Sequence, residues 1–196
     1  MKRSIIMPPK KKVSKQDIIS ASLNLIREHG VDTFNARSLA TYIGCSTQPI
    51  FSNFTTMEEL KKELILTSAQ KYRSYLKWEI ASQHYPEYKA SGMAYIRFAR
   101  EEKELFKFLF MRDRSYESVD YMEEDFTDSV YFIQKQLEIT YEEATTFHME
   151  MWVYVHGIAT MLATAYLDLE YDEISDMLTD AFLGLKMRYE SKKGDA

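Results

Sequence analysis

A single cysteine, Cys45, stands in this 196-residue sequence. It cannot close a disulfide within the chain and belongs to no cluster at metal-ligand spacing, so a disulfide framework is excluded and a reducing compartment, the cytoplasm, is expected. Six glycines and four prolines are too few to punctuate a run of short strands, and no alternating apolar and polar stretch lies between turn signals. An all-α chain is the expectation. Catalytic constellations are also missing: there is no phosphate-cradling glycine loop and no nucleophile elbow. The four histidines, His29, His84, His148 and His156, show no i, i+4 pairing. Neither a metal nor another cofactor is expected, and the chain does not read as an enzyme. His29 fits as a cation at a helix C-terminus, and Glu123, Glu124 and Asp125 as a solvated helix face rather than an acid–base pair. Long hydrophobic runs are wanting too. The best, Met151 to Leu167, contains His156 and Gly157 and falls short of the ~20 apolar residues of a membrane span, so it reads as a buried interface helix. The basic start Lys2-Arg3 is followed only by Ile5-Ile6-Met7 before Pro8-Pro9, which is no secretory signal.

What is present is a lopsided charge. The formal net charge is −5, yet residues 1 to 62 hold ten basic and five acidic side chains, a balance of +5 that leaves −10 on the rest. A basic head on an acidic body can dock on phosphates while the body stays clear of them. Residues 1–13, with Pro8-Pro9 and Lys10-Lys11-Lys12, lack a helical period and read as a flexible basic arm, a solvated tail being the competing reading.

Ser14 and Asp17 have capping-box spacing and open a helix with the face Ile18, Ile19, Ser22, Leu23, Leu25 and Ile26. Gly30 supplies the left-handed stop. Asn35 caps a second helix, with Leu39, Ala40 and Ile43 inward and Gly44 at its end. Ser46 is expected to cap a third, Ser46 to Asn53, in which Pro49 is tolerated in the first turn and Ile50 and Phe54 face inward. Thr55 with Glu58, or Thr56 with Glu59, then opens a long helix to about Ser82. Beyond the break at His84-Tyr85-Pro86, helices are expected near 87–102, 103–112, 117–138, 141–168 and 172–192. The domain expectation is 1–13 arm, 14–62 head and 63–196 body.

Two short helices joined by a glycine-bearing turn have helix-turn-helix geometry, whose second helix enters the major groove, although short capped helices also occur in proteins that never meet DNA. On that reading Thr47, Gln48, Phe51, Ser52 and Asn53 are presented to DNA. Gln48 can pair with N6 and N7 of adenine, and Phe51 can meet a thymine methyl. Ser46, Thr47, Ser52 and Arg37 suit phosphates. The stretch Ile18 to Leu64, with Gly30, Phe34, Arg37-Ser38-Leu39-Ala40, Ile43-Gly44, Ser46 and the exit from Phe54 to Leu60, resembles the DNA-binding domain of the tetracycline-repressor (TetR) family. The body points the same way. Tyr95 to Phe110, followed by Trp152 to Gly157 ending in His156-Gly157, looks like regulators whose C-terminal domain bears a Trp-x-x-x-His-Gly motif. The resemblance implies an N-terminal three-helix helix-turn-helix domain plus a C-terminal helical ligand-binding and dimerisation domain. Most relatives have tyrosine where this chain has Phe51 and lysine where it has Met57, both of which hold phosphate. Lys61 and Lys62, or the arm, are the replacements.

The body is rich in Met, Phe and Tyr, which suit a cavity for varied apolar molecules. Phe98, Phe106, Phe110, Phe126, Trp152 and His156 are expected to line it, core filling being the alternative. For a dimer surface the sequence offers Gly157, Ala159, Ala163 and Ala165 on one helix and Met177, Leu178, Ala181, Leu185 and Tyr189 on the next, paired as a four-helix bundle. The whole reads as a homodimeric repressor released from a pseudo-palindromic double-stranded operator by an apolar or amphipathic small molecule, with no membrane partner. The rival is a ligand-binding dimer with a degenerate head. For the arm, deleting residues 1–12 should weaken DNA binding on every sequence and flatten its salt dependence, because fewer counterions are released. An unchanged salt slope in a fluorescence titration would identify a passive tail.

Overall fold

The computed structural model describes residues 13–113 and 123–194, with the side chains of 123–125 and 192–194 left aside. The basic arm at Lys10 to Lys12 and the acidic side chains of Glu123, Glu124 and Asp125 therefore lie outside the described residues. Among the described residues there is no strand. The order is α1 (Lys15–His29), a 3-10 turn (Val31–Thr33), α2 (Ala36–Ile43), α3 (Gln48–Asn53), α4 (Met57–Ser82), α5 (Glu87–Glu101), α6 (Lys103–Phe110), α7 (Glu123–Leu137), α8 (Tyr141–Ala163) and α9 (Tyr171–Gly194). The chain divides into two compact units between Leu64 and Ile65, within α4.

In the head, local chemistry sets each helix end. The Ser14 hydroxyl accepts from the Asp17 amide at 3.1 Å while the Asp17 carboxylate accepts from the Ser14 amide at 3.0 Å, and together they satisfy two donors that a helix start leaves orphaned. Gly30 ends α1 at φ 77°, ψ 163°, a positive-φ conformation open to glycine but extended rather than left-handed helical. Gly44 does adopt the left-handed conformation, at φ 78°, ψ 36°. Asn35 accepts from the amides of Arg37 and Ser38. One expected start is corrected: α3 begins at Gln48, not after a Ser46 cap, and Thr47 at its N-cap makes no side-chain capping bond. The Thr47 carbonyl instead accepts from the Ile50 and Phe51 amides, and Pro49 removes one donor that would have needed a cap. At α4 the box is Thr56 with Glu59: the Glu59 amide donates to Oγ1 of Thr56, and the Thr55 amide donates to the Glu59 carboxylate. Ile18, Ile26, Leu39, Ile50, Phe54, Leu60 and Leu64 are fully buried and form the core of the head.

In the body, α5 packs along α8, flanked by α6, α7 and α9. Tyr88 pairs with His148 and Tyr95 with His156, in the same order along both helices, so α5 and α8 run parallel and α6 and α7 make the return crossing. Gly92 permits the close approach: a Cβ there would meet Leu178 of α9 at 3.3 Å and Val155 of α8 at 3.4 Å. Val130, Ile133, Ala144, Phe147, Met151 and Tyr189 form a core between α7, α8 and α9. Helix α8 opens on a Thr140–Glu143 capping box and ends at Ala163, short of the expected end at Asp168. Ala165 takes φ +56°, and Arg100 fixes the connection beyond by donating to the Leu169 carbonyl and the Asp168 carboxylate. Two elements of the expected dimer stripe are also corrected. Ala159 and Ala163 are buried within the protomer, as are Leu178 and Tyr189, and Ala165 lies outside the helix.

Glu79 of α4 is buried with 2% side-chain exposure and receives Arg97 Nε of α5 at 3.0 Å. The Arg97 guanidinium lies between the rings of Trp78 and Tyr171 and also reaches Glu101. Removing one partner of such a pair strands the other charge in a site it cannot leave. Arg97→Ala is therefore expected to destabilise the protein by ~3–5 kcal/mol, while Arg97→Ala combined with Glu79→Met recovers much of the loss. Urea unfolding monitored by circular dichroism measures both, and a double variant no more stable than the single would show that the packing of Arg97 on the aromatic rings, not the charge pair, is what matters.

Candidate functional site

The head presents a polar and aromatic face on and around α3. Gln48, Ser52 and Phe51 are exposed, Phe51 at 48%, because Ile50 and Phe54 take the inward positions. Thr47 is half-buried and Ser46 exposed in the turn. Two of the expected contacts are already engaged. Asn53 Nδ2 donates to the Pro49 carbonyl at 2.8 Å and lies within 3.4 Å of the Val13 carbonyl, and Ser52 donates its hydroxyl to the Gln48 carbonyl. Among the described residues Gln48 has no such internal bond, and it offers its whole amide. Arg37 is exposed at the start of α2. Lys61 pairs with Glu58 at 3.0 Å, in the open, an interaction too weak to hold it from a phosphate. Lys62 is exposed. Cys45, half-buried in the turn, is a free thiol.

The body holds a cavity of about 650 Å³, within the range of small-molecule sites. Its walls come from α4 (Tyr72, Leu76), α5 (Tyr88, Lys89, Gly92, Tyr95), α7 (Phe126, Phe132, Gln136), α8 (His148, Met151, Trp152) and α9 (Leu178, Thr179, Phe182). Of the six residues expected to line it, Phe110, Phe126 and Trp152 are on its wall. Phe98 and Phe106 are fully buried and contribute no wall surface. They pack edge-on behind Tyr95, Phe110 and Tyr72, where they hold the wall in place. His156 stands one layer back, stacked on Trp152 with ring centroids 5.1 Å apart and hydrogen-bonded through Nδ1 to the Tyr95 hydroxyl at 2.9 Å.

The polar centre of the cavity, Tyr88 with His148, went unforeseen. Tyr88 Oη and His148 Nδ1 share a 2.8 Å hydrogen bond, Phe126 lies edge-on to the imidazole at 4.7 Å, and Phe132 stacks parallel to Tyr88. Burial lowers His148 to about 4 and raises Tyr88, so both are uncharged near neutral pH. Burial lowers His156 as well. The signal was in the sequence: two tyrosines seven apart on α5 and two histidines eight apart on α8 share one face of each helix. Among the described residues no group of three or more His, Cys, Asp or Glu is placed to hold a metal ion, and no described helix is long and apolar enough to cross a membrane.

The lowered His148 ties stability to pH with a definite sign. The unfolded chain takes up this proton near 6.5 and the folded one near 4, so the neutral imidazole's contribution is complete above about 6.5 and is lost as pH falls through that window. The loss is on the order of 3 kcal/mol. Urea midpoints at pH 7.5 and pH 4.5 should differ less for His148→Gln than for the native chain, and equal differences would show that the imidazole is already solvated in the folded protein.

Residues 88–182 match the family described as the tetracyclin repressor-like C-terminal domain. No curated protein matches the sequence. Among solved structures, the fold is similar to that of a TetR-like transcriptional regulator from Rhodococcus sp. RHA1, with a TM-score of 0.65 at 12% identity over 94% of this chain and 99% of that one. A putative TetR-family regulator from Vibrio parahaemolyticus gives a TM-score of 0.59 at 16% identity over 86% and 96%. A TetR variant from Acinetobacter baumannii AYE in complex with minocycline gives 0.55 at 15% identity over 93% and 97%. Identities this low speak for the fold, while the family match speaks for the body. A helix-turn-helix head and a family-matched body thus stand in one chain, whose fold is TetR-like and whose residues 88–182 match the tetracyclin repressor-like C-terminal domain.

Proposed function

We propose that this chain is a homodimeric DNA-binding transcriptional repressor that leaves its operator when a small apolar or amphipathic molecule occupies the body cavity. The observation that carries the reading is a 650 Å³ aromatic cavity in a body joined by one unbroken helix to a head that exposes Gln48 and Phe51. Two wall residues, Tyr72 and Leu76, lie on α4, and so do Leu60 and Leu64 in the core of the head. A ligand that favours one setting of α4 therefore biases the placement of the head. A coupling of ~1–3 kcal/mol is the usual scale of such linkage. The solved relative that holds minocycline is a precedent for a drug-sized ligand on this fold.

Dimerisation is assigned to the outward faces of α8 and α9. Val153 and Met161 on α8 and Leu183 and Met187 on α9 are exposed large apolar side chains. Gly157 and Gly184 lie on the same two helices with open space where a Cβ would stand. This face replaces the alanine stripe read from the sequence, and two copies paired through it form a four-helix bundle about a two-fold axis. Recognition helices so paired reach major grooves about 34–36 Å apart, and the operator is pseudo-palindromic. The rival, a ligand-binding dimer with a degenerate head, draws on Phe51, which offers a phosphate no hydroxyl, and on the inward-bonded Asn53.

Selection of DNA fragments from a mixed genomic pool, at several salt concentrations, separates the two readings. The regulator retains particular fragments whose affinity falls with Gln48→Ala at one or two base positions, by ~1–3 kcal/mol, and compounds that raise its melting temperature also lower its operator affinity. A chain carrying Val153→Glu and Met187→Glu, both outside the cavity wall and monomeric by sedimentation, loses the operator. Retention no better than non-specific background would establish the degenerate head, and compounds that stabilise the protein without changing DNA affinity would remove the α4 linkage.

A further inference from the structure

The charges around the cavity are distributed unlike those of the body that contains it. Residues after 62 carry a net −10, yet among the described residues no Asp or Glu lines the cavity, and Lys89 is the one ammonium on its wall. Lys89 is also held still. Its ammonium donates to Thr179 Oγ1 at 2.8 Å and lies 5.1 Å from the centre of the Tyr85 ring. Thr179 cannot act as donor in return, because its own hydroxyl proton goes to the Ser175 carbonyl at 3.0 Å. An ammonium has three donors, so up to two are left, and among the described residues no carboxylate forms an ion pair with it. The other polar side chains described on the walls carry no formal charge: the Tyr88–His148 pair, Gln136, Ser129, Tyr72, Tyr95, Trp152, and Ser91, whose hydroxyl donates to the Tyr88 carbonyl.

We infer that the cavity recognises an amphipathic acid, its carboxylate held by Lys89 and its apolar body laid against the aromatic and methionine walls. This rests on the reading of the cavity as the effector site. A purely apolar ligand would cover an ammonium and strip it of water without giving it a partner, which is unfavourable. A cationic ligand would face the ammonium of Lys89, which no described carboxylate pairs, although the rings could attract it. A carboxylate meets the unused donors, and a charge-assisted hydrogen bond in a partly dry site is the strongest single contact available there. Thr179 is a positioning residue: it fixes where the ammonium points. The neutral Tyr88–His148 pair sits on the wall as a second polar contact, suited to an uncharged hydroxyl or carbonyl further along the same molecule.

The test uses the full-length protein and three probes of equal chain length, decanoate, decanol and decyltrimethylammonium, each kept below its micellar concentration, in competition with the neutral dye Nile red. Decanoate should displace the dye at a concentration about tenfold or more below that of decanol, and decyltrimethylammonium should be the weakest. Lys89→Met should bring decanoate and decanol together, Lys89→Arg should keep most of the preference, and Thr179→Val should reduce it. Equal potency of acid and alcohol on the native chain, or a preference for the cation, overturns the inference. So does a decanoate preference that survives in a Lys89→Met protein melting like the native one. If Lys89→Met does not fold, the native probe order and the Lys89→Arg result decide. Dye that binds but is displaced by none of the three rejects the acid-binding assignment and leaves the cavity standing. Failure of dye and probes alike removes the effector cavity itself, and this assignment with it.

Discussion

The parallel seam between α5 and α8 is the constraint on which the body is built. Two helices joined by a short turn lie antiparallel, so a parallel pair needs a long return, and α6 and α7 belong to it. The seam is close because Gly92 lets Val155 and Leu178 approach the α5 backbone. It is also polar at two levels, where Tyr88 meets His148 and Tyr95 meets His156. Each bond links one donor-acceptor hydroxyl to one ring nitrogen, so a slip of a turn along either helix would leave partly buried polar groups unpaired. Register along the seam is thereby specified by chemistry as well as by packing.

The cavity follows from the same seam. Helix α9 leans on α8 through Phe147, Phe182 and Tyr189 and α7 packs Val130 and Ile133 into the same core, and bulky rings meeting at several angles do not fill the space between these helices. What is left open is lined by edges and faces of Tyr88, Phe126, Phe132 and Trp152. Behind it, Phe98 and Phe106 interlock with the wall residues Tyr72, Tyr95 and Phe110. The rigid layer behind supports a wall of side chains in front, which include the adaptable Met149 and Met151.

Sequence made some of this legible and hid the rest for identifiable reasons. Helix starts governed by contacts over three residues, at Ser14, Asn35 and Thr56, could be read directly, because the cap and its partner lie within one turn of each other. The end of α8 could not. Ala165 turns to φ +56° there with no glycine to mark the stop, and Arg100, which holds the connection beyond, lies 68 residues before Asp168, a contact that leaves no local trace. The start of α3 was misplaced because a serine in a turn looks like a cap whether or not its hydroxyl is used. The aromatic residues of the body gave the composition of the cavity but not its membership: helical spacing separates inward from outward positions, and both wall and supporting layer are inward. Tyr88 and His148 are hard to single out in the sequence, because each sits at a helical spacing that a core residue would also take and their hydrogen bond joins residues 60 positions apart. The outward face of α8 and α9 was missed for the opposite reason, since small residues were taken to mark an interface and two of them, Ala159 and Ala163, instead serve internal packing.

The parallel seam also bears on the order in which the protein acquires its structure. The Tyr88–His148 and Tyr95–His156 bonds join residues 60 and 61 positions apart, whereas the capping boxes of the head each span three. Closing a loop of that size restricts the chain before any contact across it is gained. As the polypeptide leaves the ribosome, the head is complete in sequence by residue 64, while α5 must wait with its apolar face exposed until α8 has emerged. For that interval the surface that later lines the cavity is an exposed apolar face of the nascent chain, open to adhesion.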